Sequence, residues 1–327
     1  YDLDGRLTEI IYPPNRRKGL KGLKYVYNEY GWKTEILAVQ ENGQEEILNN
    51  FSYTGIGNLD TEIVNIGLFD TGSNKIVYKK YTYDVFSRIS KIAYYDSPEL
   101  TNCLESYEYT YDKNSHILTE SKYCNTKGMT EGEKVDEIVR YDYDPLGRII
   151  KVTINNKKTG KTSVNTYSYD KVGNRISEKK DNIETVMTYN SLNQIVTAEQ
   201  KKGTTPESKC TYHYDKRGNL VLELDDLNNL RTESVYDIKN QLESQKIYKD
   251  NKLSVTQENK YNGEGQRTET KVNGSVTHYY YQGATVFLTA DEKDDTVDLY
   301  LLNGENNVIA AKRCKDQLNG EYFFYNK

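Results

Sequence analysis

The sequence predicts an all-β chain, a series of tandem β-hairpins forming a thin, extended wall of sheet. Three observations carry this reading. One short phrase, Tyr-Asp-x-x-Gly-Arg/Asn followed by an aliphatic residue, recurs from end to end of the 327 residues. Tyr outnumbers Phe 31 to 6, which suits a surface that is packed on the ring and wet at the hydroxyl. No stretch places apolar residues at the 3.6-residue spacing of an amphipathic helix.

The phrase has a mechanical meaning. Its clearest copies are Tyr143-Asp144-Pro145-Leu146-Gly147-Arg148, Tyr169-Asp170-Lys171-Val172-Gly173-Asn174 and Tyr214-Asp215-Lys216-Arg217-Gly218-Asn219. Looser copies centre on Tyr83-Asp84, Tyr111-Asp112, Tyr189 and Tyr236-Asp237, and looser ones still on Tyr1, Tyr27, Tyr53, Tyr261 and Tyr281. Successive copies lie 20 to 32 residues apart, a period that signals a stacked or wound repeat. Tyr-x-Tyr puts two rings on one face of a strand. Asp opens a type I turn and accepts from the amides just after it. Gly three residues later supplies the positive φ of a three-residue loop closed by a bulge, and Pro145 fits the second turn position. At that Gly position Ser87, Ser115, Asn193 and Asn240 stand in, Asn tolerating the left-handed region better than Ser. The residues that follow, such as "RIIKVTI" (148–154), are β-branched and alternate again. Each copy therefore predicts one hairpin, and aligned tyrosines are expected to stack across neighbouring strands.

Composition bounds the function. Hydrophobic residues make up 36% of the chain, many of them Tyr, so a thick dry core is not expected. The 44 basic and 49 acidic residues are interspersed, and no basic stripe marks a nucleic-acid partner; "NRRKGLKGLK" (15–24) reads as a solvated loop. No apolar run approaches the ~18 residues of a membrane span. The chain shows no initiator Met and no signal peptide and reads as a piece of a longer polypeptide, so its compartment is open on this ground.

The repeated phrase resembles the YD repeat of the Rhs proteins, a family of bacterial polymorphic toxins, wall-associated proteins, shell components of insecticidal toxin complexes and animal teneurins. The resemblance divides the chain into hairpin repeats over 1–282 and exit strands over 283–327 that lead toward the family's core-associated region. It implies hairpin repeats wound into a curved spiral sheet that forms part of a hollow β-shell, and so a structural, non-enzymatic segment of a secreted or cell-wall-associated bacterial protein. Its partners would be the rest of the Rhs shell and an enclosed C-terminal toxin domain. The alternative is a surface module whose exposed Tyr ladders bind carbohydrate or protein. No cofactor is implied, and no cleavage residue carries over.

Catalytic constellations are few. Cys210-x-x-His213 has metal-like spacing, but residues three apart on a strand face opposite sides and no second pair completes a site. His116 falls in a turn and His278 in a strand phrase. The pieces "GIGNLD" (55–60) and "GEGQRTETK" (263–271) lack a full nucleotide-binding pattern. "LDDLNN" (224–229) and "DEKDD" (291–295) lack EF-hand spacing and read as turns. The repeat aspartates are too regular to form one active site. Of the four cysteines, Cys103 and Cys124 flank one hairpin and fall one residue short of facing each other. A bulge that brings them together would allow a disulfide; free thiols, with Cys210 and Cys314, are the other reading.

Overall fold

The computed structural model describes residues 1–13, 20–65, 76–124, 135–302, 307–313 and 322–324; Cys314 and residues 15–19 of the basic run lie outside them. Among the described residues there are 26 strands, from β1 (Glu9–Ile11) to β26 (Tyr322–Phe324), and no helix. All belong to one sheet. Each strand pairs antiparallel with the next in sequence, as in β8 (Cys103–Tyr111) with β9 (Ile117–Cys124), β9 with β10 (Val135–Tyr143) and β10 with β11 (Ile149–Asn156). The sheet is thus a continuous meander.

The turns explain why. In the copy at 143, the Gly147 amide donates to the Asp144 carbonyl (2.9 Å) and the Asp144 amide to the Arg148 carbonyl (2.9 Å), which is a type I turn closed by a bulge. The same pair of bonds forms at Asp84, Asp112, Asp170, Asp215 and Asp237. The fourth turn residue has positive φ whether it is Gly147 (76°), Ser87 (61°), Ser115 (67°), Asn193 (59°) or Asn240 (62°). The same turn forms without a preceding Tyr at the opposite ends of the strands, at Gln40–Gln44 with Gly43 at φ 85° and at Asp291–Asp295 with Asp294 at φ 65°. The copy at Tyr281 differs: Gln282 pairs directly with Thr285, so its loop has only two residues. Loops at the opposite ends of the strands are irregular. Some are two-residue turns with both residues at positive φ, such as Asp250-Asn251 and Asn273-Gly274. Others are longer, and this variation produces the uneven repeat spacing.

A second bulge adjoins every repeat turn. Tyr143 pairs with Ile149, but Asp142 pairs with Lys151, leaving Ile150 extra; the shift recurs beside Tyr83, Tyr111, Tyr169, Tyr214 and Tyr236. Bulges increase local twist and bend the strand that carries them. In the hairpin of Tyr111 this decides the cysteines. The bulge on β9 moves the register the wrong way, so Cys124 pairs with Glu105 rather than Cys103. The two cysteines become diagonal neighbours, with Cβ atoms on the order of 7–8 Å apart against the ~3.8 Å of a disulfide. Cys103, Cys124 and Cys210 are free thiols, contrary to the disulfide expectation.

Through its middle the sheet is a thin wall with few buried side chains. The one cluster of buried apolar side chains lies where the two ends of the chain meet. Leu23 and Tyr25 of β2 (Leu20–Tyr27), Ile36 and Ala38 of β3 (Lys33–Gln40) and Leu48 of β4 (Glu45–Tyr53) pack against Leu288 of β23 (Thr285–Ala290) and Leu299 and Leu301 of β24 (Thr296–Leu302). Tyr12 stacks on Phe287 at 6.0 Å, and the Tyr25 hydroxyl donates to the Leu302 carbonyl across 277 residues of sequence (2.8 Å). Tyr25 shares a face with the repeat residue Tyr27. Leu288 pairs with Tyr280 and so lies on the face opposite Tyr281. The tyrosine face of the first strands therefore meets the other face of the last strands. The sheet rolls up, and its end overlaps its beginning as in a scroll.

Gly147→Ala is expected to destabilise by about 1–2 kcal/mol through the positive φ alone, with more lost because the new Cβ would sit 2.8 Å from the His116 ring. Ser87→Gly is expected to stabilise by about 0.5 kcal/mol. Urea unfolding of both variants checks the opposite signs.

Candidate functional site

The repeat turns line one rim of the sheet, and their side chains form a ladder. At each rung the Asp carboxylate is consumed locally. Asp144 Oδ1 accepts the amides of Leu146 (2.9 Å) and Arg148 (3.0 Å), and Oδ2 accepts Arg148 Nε (2.6 Å). Asp84 does the same with Phe86 and Arg88, and Asp170 and Asp215 with Asn174 and Asn219. Asp237 accepts the Lys239 and Gln241 amides. Where Asp is absent, the Asn28, Asn190 and Asn262 amide oxygens accept the same amides.

The residue four after the Asp then reaches the following rung. Arg88 Nη1 donates to the Asp112 carbonyl (3.0 Å) and Ser115 Oγ (3.1 Å). Asn174 Nδ2 donates to Asn193 Oδ1 (3.0 Å), and Asn219 Nδ2 to Asn240 Oδ1 (3.0 Å). The Arg88 and Arg148 guanidiniums lie over the Tyr111 and Tyr169 rings at 4.5 and 4.6 Å. His116 fills the same place by stacking on Tyr143 at 4.8 Å, and Trp32 by packing on Tyr53 at 5.3 Å.

The repeat tyrosine answers from the other side. Its hydroxyl crosses to the preceding hairpin and donates to the first carbonyl of the strand leaving that turn: Tyr83 to Leu59 (2.7 Å), Tyr111 to Ile89 (2.5 Å), Tyr143 to Ile117 (2.8 Å) and Tyr169 to Ile149 (2.8 Å). Tyr27, Tyr53, Tyr189, Tyr261 and Tyr281 make the same bond. The expected tyrosine stacking thus takes another form, in which the rings of Tyr27, Tyr53, Tyr111, Tyr143 and Tyr169 pack on the arginine, histidine or tryptophan of the previous rung. Those connecting side chains were legible in the sequence only as the Arg/Asn that follows Gly. The first Tyr of a Tyr-x-Tyr pair meets a carboxylate instead: Tyr81 donates to Glu62 (3.2 Å) and Tyr141 to Glu120 (3.1 Å).

The sequence-predicted candidates for chemistry do not assemble. His213 pairs with Leu222 and Cys210 with Asp225 and Ala198, on opposite faces. Among the described residues no group of three or more His, Cys, Asp or Glu is placed to hold a metal ion. Asp225, in the acidic stretch 224–229, is spent as a cap: burial works to raise it, but the Asn228 side chain, the Lys209 amide and the Ser208 hydroxyl hold it at about 2. A cleft of about 510 Å³ opens at the seam, lined in part by Arg6, Tyr27, Trp32, Tyr53 and Gln282. Its Tyr27 and Tyr53 hydroxyls are already bound to carbonyls.

With the ladder described, the comparison with known proteins falls into place. The teneurin YD-shell family model matches residues 122–226. Over those residues the chain carries the repeats of the YD-shell family. No curated protein sequence matches it. Among solved structures it is similar to the Photorhabdus luminescens Tc holotoxin pore carrying a TccC3 point mutation, at 13% identity and TM-score 0.45 over 94% of this chain and 17% of that one. It is similar to TcdB2-TccC3 without its hypervariable C-terminal region at 12% identity and TM-score 0.30, covering 88% and 17%. It is also similar to a porin-like protein from Bacteroides uniformis at 9% identity and TM-score 0.29, covering 67% and 90%. This YD chain spans about a sixth of the length of the two Tc chains.

The ladder of the YD repeats gives stability an acid limb. Asp144 is held below its ordinary value of 3.8 first by the Arg148 amide, against partial desolvation, and then by the Arg148 side chain and the Leu146 amide. Asp84, Asp112, Asp170 and Asp215 are lowered as well. A lowered carboxylate stabilises the fold above its unfolded value and loses that contribution as pH falls through the folded value. Stability is therefore expected to be flat above about pH 5 and to fall below about pH 4. Asp144→Asn, which keeps the amide cap, should shallow that decline in melting curves taken from neutral to acid pH.

Proposed function

We propose that this chain is a length of wall in a β-shell whose parent polypeptide encloses a C-terminal toxin domain, and that the protein is secreted or held at the bacterial surface or cell wall. The observation that supports this is the rung-to-rung ladder on a continuous meander. Each hairpin is fixed to the one before it by its own turn residues, so the wall can be extended without a thick core. The rolled overlap at the seam supports this reading, because a strip that curls onto itself is curved in the sense a shell wall requires. In this reading the chain is not an enzyme and needs no cofactor. Its partners are the rest of the shell and the enclosed domain.

The alternative, carbohydrate binding through exposed Tyr ladders, requires free rings in a row. The ladder tyrosines instead lie under neighbouring side chains with their hydroxyls bonded to backbone, which weighs against it.

Limited proteolysis of the parent polypeptide tests the proposal. The domain downstream of the repeats should resist digestion while the repeats are intact and become cleavable when rung residues such as Tyr143 and Tyr169 are replaced together. Equal cleavage in both states would sink the enclosing role.

A further inference from the structure

From Tyr30 to Leu192 the tips of the repeat turns carry side chains that make none of the ladder's hydrogen bonds. The tip residue stands just before the positive-φ position. Along the rim these tips read Tyr30, Ile56, Phe86, Asn114, Leu146, Val172 and Leu192 in successive hairpins. The six apolar ones are 69–75% exposed. A turn tip in water ordinarily carries a polar residue, and scattered exposed apolar side chains need no explanation. A row of six in register does, because contiguous apolar surface marks a docking site.

The ladder fixes the row's geometry. Neighbouring rungs are bonded to each other, and each rung advances by two strands, or about 9.6 Å. The row is narrow and long, and its partner must repeat at the same spacing to meet all six tips. Another rim of the same kind does so. The order of the row narrows the choice further. Three apolar tips lie on each side of one polar tip, Asn114, so the row reads alike in both directions. A two-fold interface requires that property, since each contact must occur twice. The next tips outward, Asp4 and Arg217, are engaged within the chain, Asp4 with Arg6 (2.8 Å) and Arg217 with the Asp237 carbonyl (2.7 Å), so the apolar row ends at Tyr30 and Leu192. Six large apolar tips at this exposure offer roughly 600–700 Å² per copy, close to the ~800 Å² of a standard interface.

We propose that two copies of this chain associate rim to rim about a two-fold axis at Asn114, through the apolar turn tips. The inference rests on the ladder and not on what the wall encloses.

Sedimentation of the 327-residue chain across a wide concentration range tests it. A reversible dimer is expected. Ile56→Lys and Leu146→Lys, at exposed tips outside the ladder bonds, should each weaken it by about tenfold or more without changing the circular dichroism spectrum or the melting temperature. Under mild oxidation Asn114→Cys should give a covalent dimer, because the axis brings the two copies of that residue together. Lys171→Cys, off the axis, should not, with the parent chain as control for its native cysteines. A monomer at all concentrations, a dimer indifferent to both lysine variants, or equal cross-linking at 114 and 171 would each overturn the proposal.

Discussion

The structure depends on the bond that nine of the repeat tyrosines make to a carbonyl of the hairpin before them. A single antiparallel hairpin is marginal in water, and the middle of this sheet buries few side chains. Backbone ladders join strands within and between hairpins, but they do not specify how one turn sits on the next. The tyrosine does. Its hydroxyl takes the carbonyl of the previous rung, and where that rung carries arginine, histidine or tryptophan its ring packs on that side chain. That position therefore demands a side chain with both a large apolar body and a polar tip, which accounts for an excess of Tyr over Phe.

Much of this was legible in the sequence, for physical reasons. The turn was readable because a three-residue loop needs positive φ at one place, and only Gly, Asn, Asp or a tolerated Ser supplies it; Ser87 and Ser115 could be placed by elimination. The Asp cap was readable because its spacing to the amides is fixed by the turn. The second bulge was not readable, since an extra residue such as Ile150 or Leu118 leaves no compositional mark. The cysteines show the consequence: one unseen bulge moved Cys124 opposite Glu105. The seam was also hidden. A contact between Tyr25 and Leu302 depends on curvature accumulated over more than twenty strands, and no local pattern reports it.

The two rims of the sheet have separate roles. The repeat-turn rim is uniform because every turn must dock on its neighbour. The opposite rim tolerates short and long loops, although neighbouring hairpins are bonded there too, the Gly203 amide to the Asn182 carbonyl and the Asp250 amide to the Asn229 carbonyl. Uniformity leaves the second and third residues of most repeat turns, such as Val85 and Leu146, free of the ladder, and so the place where the outward chemistry of the wall is set. Twist from the repeated bulges bends the strip, and the apolar overlap of β2–β4 with β23 and β24 closes the roll by side-chain packing, with no strand pairing across the seam among the described residues.

The most direct test of the ladder is a double-mutant cycle between Arg148 and Tyr169, which lie on successive rungs with the guanidinium over the ring. Arg148→Leu, Tyr169→Leu and the double variant would be compared by urea unfolding, with Arg88 and Tyr169 as a distant control pair. Rung-to-rung pinning predicts a coupling of about 0.5–1 kcal/mol for the adjacent pair and additivity within error for the control. Additive losses at Arg148 and Tyr169 would contradict it, and would mean that the backbone meander holds the sheet without the side-chain ladder.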